Sequence, residues 1–370
     1  MPRVLKNLLK ILAVLIVLFL FLFSIQLLGH SFKLFGRGFA EGLLATTANP
    51  IVALMIGVLA TSIVQSSSTT TSIVVGLVGS GILPVAQAVP IIMGANIGTS
   101  ITNTLVSVGH MGRKDEFRRA FAGATVHDFF NIMAVAIFLP LEIYTGFLQK
   151  TATRFDGFLE GYGGAKWPNP LKIILRPPLH AVENALEWVG FEGRILATVA
   201  LILAVILMFL SLHWIVKLMK SMMMGTMERI FHRVVARNAF IAILTGLVMT
   251  VLVQSSTITT CLMVPLVGAG ILTVRQVFPL TLGANIGTPI TALLASLAVD
   301  LPEGTVIALC HLFFNLSAVS LVFIVPPLRK VPVILAEGLA RRATENRWYI
   351  PLYLVTVFFL IPGFFMFLFR

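Results

Sequence analysis

Along the chain, long apolar runs alternate with apolar stretches that are cut short by polar residues at matching places. Runs from Ile11 to Leu28, Ile195 to Ile215 and Ile350 to Phe369 are each continuous enough for a helix that crosses a hydrocarbon core, which takes roughly 20 mostly apolar residues. Elsewhere the pattern differs. The stretch from Ile51 to Val64 stops after 14 residues at the polar run Gln65 to Thr71, and Ile73 to Val78 is shorter still before Gly79-Ser80-Gly81. Neither piece spans alone. Irregular polar backbone at membrane depth must be buried in protein or line a cavity, so this pattern predicts re-entrant hairpins or discontinuous helices.

The interruption occurs twice. Shifting the chain by 189 positions lays Gln65 to Asn103 on Gln254 to Ala292 without a gap, with 23 of 39 identities. Gln65, Ser66 and Ser67 fall on Gln254, Ser255 and Ser256, and Gly94 to Thr99 fall on Gly283 to Thr288. With five fewer residues in the second copy, His127-Asp128-Phe129-Phe130-Asn131 then answers His311-Leu312-Phe313-Phe314-Asn315. Paired interrupted segments at corresponding positions of two halves are the best pointer in a sequence to a transporter's binding site. The expected organisation is a first half over 1–148, an extramembrane loop with short interfacial helices over 149–193, a second half over 194–346 and a C-terminal helix over 347–370. The loop is read from Gly161, Gly163, Gly164, Pro168, Pro170, Pro177 and Pro178 among mixed charges.

Composition agrees with a lipid environment: 58% of the 370 residues are hydrophobic, 11% are charged, and mean hydropathy is +0.97. Arg3, Lys6 and Lys10 before the first apolar run imitate a signal peptide, but the run exceeds an h-region of about 7–15 residues and lacks a cleavage site, so it reads as a retained anchor helix. A formal charge of +12 would suggest nucleic acid in a soluble chain. Here the basic residues Arg113, Lys114, Arg118 and Arg119, those from Lys217 to Arg237 and those from Arg329 to Arg347 read instead as charges of short loops held on one side of the membrane, so no nucleic-acid partner is expected. Cys261 and Cys310 lie in apolar segments and support neither a disulfide nor a thiolate metal site.

The candidate chemistry sits in the repeated unit. Isolated Ser and Thr in membrane helices usually pack or bond back to the preceding turn. Seven consecutive hydrogen-bonding side chains, Gln65 to Thr71, answered by Gln254, Ser255, Ser256, Thr257, Thr259 and Thr260, point further. Hydroxyls and N–H groups at a broken helix end can donate to a tetrahedral oxyanion. The same oxygens suit a dehydrated sodium ion. The two Gly-Ala-Asn-Ile-Gly-Thr segments read as a second helix break, in which Asn96, Thr99, Asn285 and Thr288 supply oxygens, or as a packing face carried by Gly94 and Gly98 and by Gly283 and Gly287.

Asp128 lies in an apolar helix, where an ionisable group is costly unless it pairs, protonates or binds a cation. Asn131, three residues on, shares its face, and the pair reads as a cation site; a charge at the helix mouth near Arg118 and Arg119 is the other reading. The second copy has Leu312 in place of Asp128. His127 and His311 read as hydrogen-bonded packing groups, with no transition-metal site. An intramembrane hydrolase would need Ser66 or Ser67 with His127 or His311, and no spacing supports a triad.

Gln65 to Ser68, Pro90 to Asn103, Phe117 to Asn131 and Gln254 to Thr257 resemble the motifs of the type II sodium-dependent phosphate cotransporter family. The resemblance implies an all-α polytopic membrane protein with two inverted-topology repeats, re-entrant hairpins and discontinuous helices. It also implies inorganic phosphate held between the Gln-Ser-Ser segments (Gln65, Ser66, Ser67, Ser68; Gln254, Ser255, Ser256, Thr257) and sodium as the coupling ion, with no cofactor. Asp128 and Asn131 fall where the family's electrogenic members hold a sodium-site Asp and Asn, and Thr288 and Thr291 match its sodium-site threonines. Divalent phosphate imported with net charge across the cell membrane by alternating access follows from that resemblance. The central loop is short and free of cysteine, as in a bacterial-type member. Another small anion such as sulfate, arsenate or a carboxylate stays open, as does a homodimer.

Overall fold

The computed structural model describes residues 3–163, 170–234 and 238–369, and every regular element among them is helical. The first half contains α1 (Arg3–Leu34), α2 (Arg37–Thr47), α3 (Pro50–Val64), α4 (Ser67–Gly79), α5 (Val85–Gly98), α6 (Ile101–Val108), α7 (Lys114–Thr145) and α8 (Phe147–Gly163). After α9 (Pro170–Trp188), the second half follows as α10 (Gly193–Val234), α11 (Ala239–Val253), α12 (Ser256–Cys261), α13 (Met263–Gly268), α14 (Val274–Gly287), α15 (Pro289–Ser296), α16 (Glu303–Ile324) and α17 (Pro326–Glu345). The C-terminal helix is α18 (Tyr349–Val355), a π-helical turn (Thr356–Leu360) and α19 (Ile361–Leu368).

Among the described residues, seven helical stretches are long and apolar enough to cross a membrane, including Leu8–Leu34, Lys114–Thr145 and Gly193–Met222; α2 and α3 meet at a 102° bend. Exposed apolar side chains such as Ile202, Leu210, Leu352 and Phe367 face outward from these spans, a surface that suits lipid. The chain is an all-α polytopic membrane protein.

Local sequence sets the helix boundaries. Asn49 and Asn238 cap α3 and α11 by accepting the N–H groups of Ile51 and Phe240. Thr273 and Gln276 form a reciprocal capping box at the start of α14. In each half a short helix packs tightly on the helix that carries the Gly-Ala-Asn-Ile-Gly segment, α3 on α5 and α11 on α14. Glycine permits this approach: a Cβ at Gly94 would overlap the Leu54 carbonyl, and one at Gly283 the Ile243 carbonyl. The packing face expected of these glycines is present, and it is opposite in role to the asparagines between them.

The halves interlock reciprocally. α8 follows α7 but packs on α16, while α17 follows α16 but packs on α7; α4 lies against α15 and α16, and α12 and α13 lie against α6 and α7. The segment 149–193 carries all of α8 but its first two residues and all of α9, which packs on α1 and α10; His30 bonds Glu183 there at 3.1 Å. Gly164 and Pro168 lie outside the described residues, as does Arg237. All three groups of basic residues read as loop charges lie largely on helices instead, the third with Arg329, Lys330, Arg341 and Arg342 on α17. Arg118 and Arg119 lie on α7, where Arg119 donates to the Gly268 carbonyl at 2.9 Å, and Lys217 and Lys220 lie on α10.

Candidate functional site

The Gln-Ser-Ser segments are helix breaks of one design. Gln65 and Gln254 are the only non-glycine residues with positive φ among those described, at 56° and 57°. Each ends one helix in the left-handed region, and the next serine turns extended and caps the helix that follows. Ser66 Oγ accepts the Thr69 N–H and Ser255 Oγ the Ile258 N–H, both at 3.2 Å. Behind each tip a threonine pair ties the two helices, Thr61 to Thr70 at 2.9 Å and Thr250 to Thr259 at 3.1 Å. A left-handed glutamine followed by an N-capping serine is a reversal that neither a continuous helix nor an ordinary loop needs.

Both tips line a single cavity of about 480 Å³. Its walls include Gln65, Ser66, Ser67, Ser68, Gln254, Ser255, Ser256 and Thr257, brought together from segments 189 positions apart. The third wall is α10, which presents His213, Lys217 and Lys220. Sequence reasoning missed the place of these side chains on the cavity wall. Their spacing of four and three places them on one helical stripe, a signal available once α10 is taken as helical past Ile215. Lys217 also sits 4.4 Å from the centroid of the Trp214 ring.

The tips differ in detail. Gln254 is held by its own Nε2 on the Val251 carbonyl, 2.7 Å, and by the Thr291 hydroxyl on its Oε1, 3.1 Å. In the first tip Gln65 is exposed, and the buried hydroxyl of Thr102, the counterpart of Thr291, has no hydrogen-bond partner among the described residues.

The asparagines form a separate hub at the centre. Asn96 Nδ2 donates to Asn315 Oδ1 at 2.6 Å, and Asn285 Nδ2 donates to Asn131 Oδ1 at 3.0 Å and to Asn315 Oδ1 at 3.3 Å. Asn131 and Asn315 donate in turn to the backbone carbonyls of Asn96 and Asn285, both at 2.8 Å. The histidines close the ring: His127 Nε2 meets Asn285 Oδ1 at 3.2 Å and His311 Nε2 meets Asn96 Oδ1 at 3.0 Å. Amide oxygens only accept, so both imidazoles donate through Nε2. All six side chains are buried.

The residues expected to hold sodium therefore divide. Asn96, Asn131 and Asn285 spend their side chains on the hub, and Asn131 bonds to Asn285 rather than joining Asp128 in one cluster. Thr99 and Thr288 bond back to the Ala95 and Ala284 carbonyls at 2.8 and 3.2 Å. Thr291 holds Gln254. Asp128 stands alone with different neighbours. It is wholly buried, not at a helix mouth; its Oδ2 accepts from the Tyr353 hydroxyl at 2.7 Å and from Thr104 at 3.5 Å, and Ser100 lies beside it. Its Oδ1 has no partner among the described residues. Among the described residues neither imidazole bonds to a serine, which leaves the Ser-His arrangement without geometry.

Comparison with known proteins fits this duplicated architecture. The family profile described as Na+/Pi-cotransporter matches residues 20–155 and 207–330. The sodium-dependent phosphate transport protein 2A of Ovis aries is 35% identical over 430 residues, covering 96% of this chain and 67% of that protein. The 2B proteins of Pongo abelii and Homo sapiens are each 34% identical over 435 residues, covering 93% of this chain and 63% of theirs. The chain thus spans about two thirds of the length of these relatives. No solved structure matches it. The two matched blocks contain both Gln-Ser-Ser tips, both Gly-Ala-Asn-Ile-Gly-Thr helices and the hub between them, and the chain belongs to the Na+/Pi-cotransporter family.

Proposed function

We propose that this chain is a secondary transporter, not an enzyme, that imports inorganic phosphate by sodium-coupled symport across the cell membrane. What carries the reading is the cavity lined by both Gln-Ser-Ser tips and by Lys217 and Lys220. A phosphate dianion has four oxygens to satisfy. Hydroxyls of Ser66, Ser67, Ser68, Ser255, Ser256 and Thr257, the amides of Gln65 and Gln254, and the N–H groups at the start of α4 offer donors around it. The two lysines supply opposite charge from the third wall. Names of the relatives, sodium-dependent phosphate transport proteins, agree with that donor set.

Asp128 is the cation site in this reading. A buried carboxylate oxygen without a donor is costly in lipid, and a sodium ion on Oδ1 would satisfy it. Leu312 removes the equivalent charge from the second half, so transport moves net charge through the first half alone. The hub asparagines hold the halves in register while the cavity faces alternate sides.

Uptake of radiolabelled phosphate into liposomes tests this. Wild-type protein should accumulate phosphate only with an inward sodium gradient and faster when the interior is made negative. Asp128→Gly should lose the voltage response. Uptake that ignores sodium overturns the proposal.

A further inference from the structure

The geometry points to Tyr353 of the C-terminal helix as a positioning residue of the Asp128 cation site, holding one carboxylate oxygen so that the other is presented to sodium. Tyr353 belongs to neither repeated block, so the internal symmetry does not supply it. It reaches Asp128 from α18, 225 positions further along the chain, and donates to Oδ2 at 2.7 Å. That bond fixes the rotation of the carboxylate. The remaining oxygen, Oδ1, is buried and without a partner among the described residues, which is the state expected of an oxygen kept for a cation.

The tyrosine ring is itself clamped. Phe129, the neighbour of Asp128 on α7, lies 6.1 Å from it, and Phe358 meets it edge-on, also at 6.1 Å between centroids. Phe358 is five residues after Tyr353 and fully buried. In a regular α-helix residues five apart do not share a face. The π-helical turn Thr356–Leu360, closed by the Ile361 N–H on the Thr356 carbonyl, changes that register and brings Phe358 against the tyrosine. A π turn is a poorer turn than an α turn and recurs where it re-aims a side chain at a functional site. Here it seats Phe358 against the ring whose hydroxyl meets Asp128.

Given the cation site proposed at Asp128, on which this rests, Tyr353→Phe keeps the ring and the clamp and removes only the donor. Removing an outer-shell partner of an ion-ligating carboxylate typically costs about 10–100-fold in affinity for the ion, so the sodium half-saturation of phosphate uptake should rise about tenfold or more, with phosphate half-saturation at saturating sodium little changed. The decisive arm is a double-mutant cycle: in an Asp128→Gly background, Tyr353→Phe should leave the sodium half-saturation where it was. A merely structural tyrosine would shift it in both backgrounds, or in neither. A second readout, the sodium-induced rise in unfolding temperature of the detergent-solubilised protein, should shrink in Tyr353→Phe and needs no transport. Unchanged sodium half-saturation in Tyr353→Phe, together with an altered Asp128→Gly, overturns the role of Tyr353 alone. If Asp128→Gly itself matches wild type in sodium response and voltage response, the cation site falls, and the positioning role falls with it.

Discussion

His127 in the first half hydrogen-bonds Asn285 in the second, and His311 in the second half returns the same bond to Asn96 in the first, at 3.2 and 3.0 Å. The exchange ties α7 to α14 and α16 to α5, and four asparagines complete it. Lipid offers no hydrophobic drive for helix association. Buried polar bonds of this kind therefore set how the two halves sit against each other.

The hub should behave as one unit. Asn285→Ala takes away the acceptor of His127 and the donor to Asn131 and Asn315, and each buried group left unpaired costs about 1–3 kcal/mol. Thermal unfolding in detergent should show Asn285→Ala strongly destabilised, His127→Ala less so, and the double variant less destabilised than their sum by about 0.5 kcal/mol or more. Strict additivity would mean that the two side chains act independently.

The glycines of α5 should be unforgiving where backbones touch. At Gly94 an added methyl overlaps the Leu54 carbonyl, which belongs to a packed helix and has nowhere to go. Gly94→Ala should lower stability by about 3 kcal/mol, the upper range for overpacking. Gly112, with nothing within 4 Å of an added Cβ, should accept alanine without loss. Melting the two variants side by side checks the contrast.

Gln65 separates backbone strain from side-chain function. A non-glycine residue in the left-handed region costs about 1–2 kcal/mol. Gln65→Gly should therefore melt at or above the wild-type temperature while its phosphate half-saturation rises, because the tip keeps its shape and loses only the amide. Gln65→Ala should lose affinity equally without the gain in stability. Wild-type phosphate affinity in the glycine variant would show that the side chain does not touch the anion.

Much of this was legible in the sequence because it is written twice. The 189-residue shift aligned the two tips, and every residue expected around the anion lines one cavity. The polar residues nearer the centre were harder to read. Asn131 shares a helical face with Asp128, yet its side chain bonds Asn285, and a partner 154 positions away leaves no trace in local spacing. Tyr353 was invisible for the same reason: it sits outside the repeat, on a helix whose apolar pattern reads only as a span. Lys217 and Lys220 were misjudged because basic residues after an apolar run look the same whether the helix stops or continues. In α10 it continues to Val234.

Those two lysines give the sharpest contrast between a binding role and a topological one. They line the 480 Å³ cavity with both tips and are exposed, so each should contribute a modest attraction to a dianion that salt weakens. Lys217→Ala and Lys220→Ala should each raise the phosphate half-saturation about two- to fivefold at low ionic strength. The gap should close as choline chloride is added at fixed sodium, while turnover at saturating phosphate stays constant. Lys220→Arg should retain wild-type behaviour, because the charge remains. Charges that only orient the chain would act differently: losing them would change the fraction of protein inserted in each direction, read by protease access to intact liposomes, and would leave the affinity of correctly inserted protein untouched. Salt-dependent affinity with unchanged orientation assigns the lysines to the cavity; altered orientation with unchanged affinity assigns them to topology.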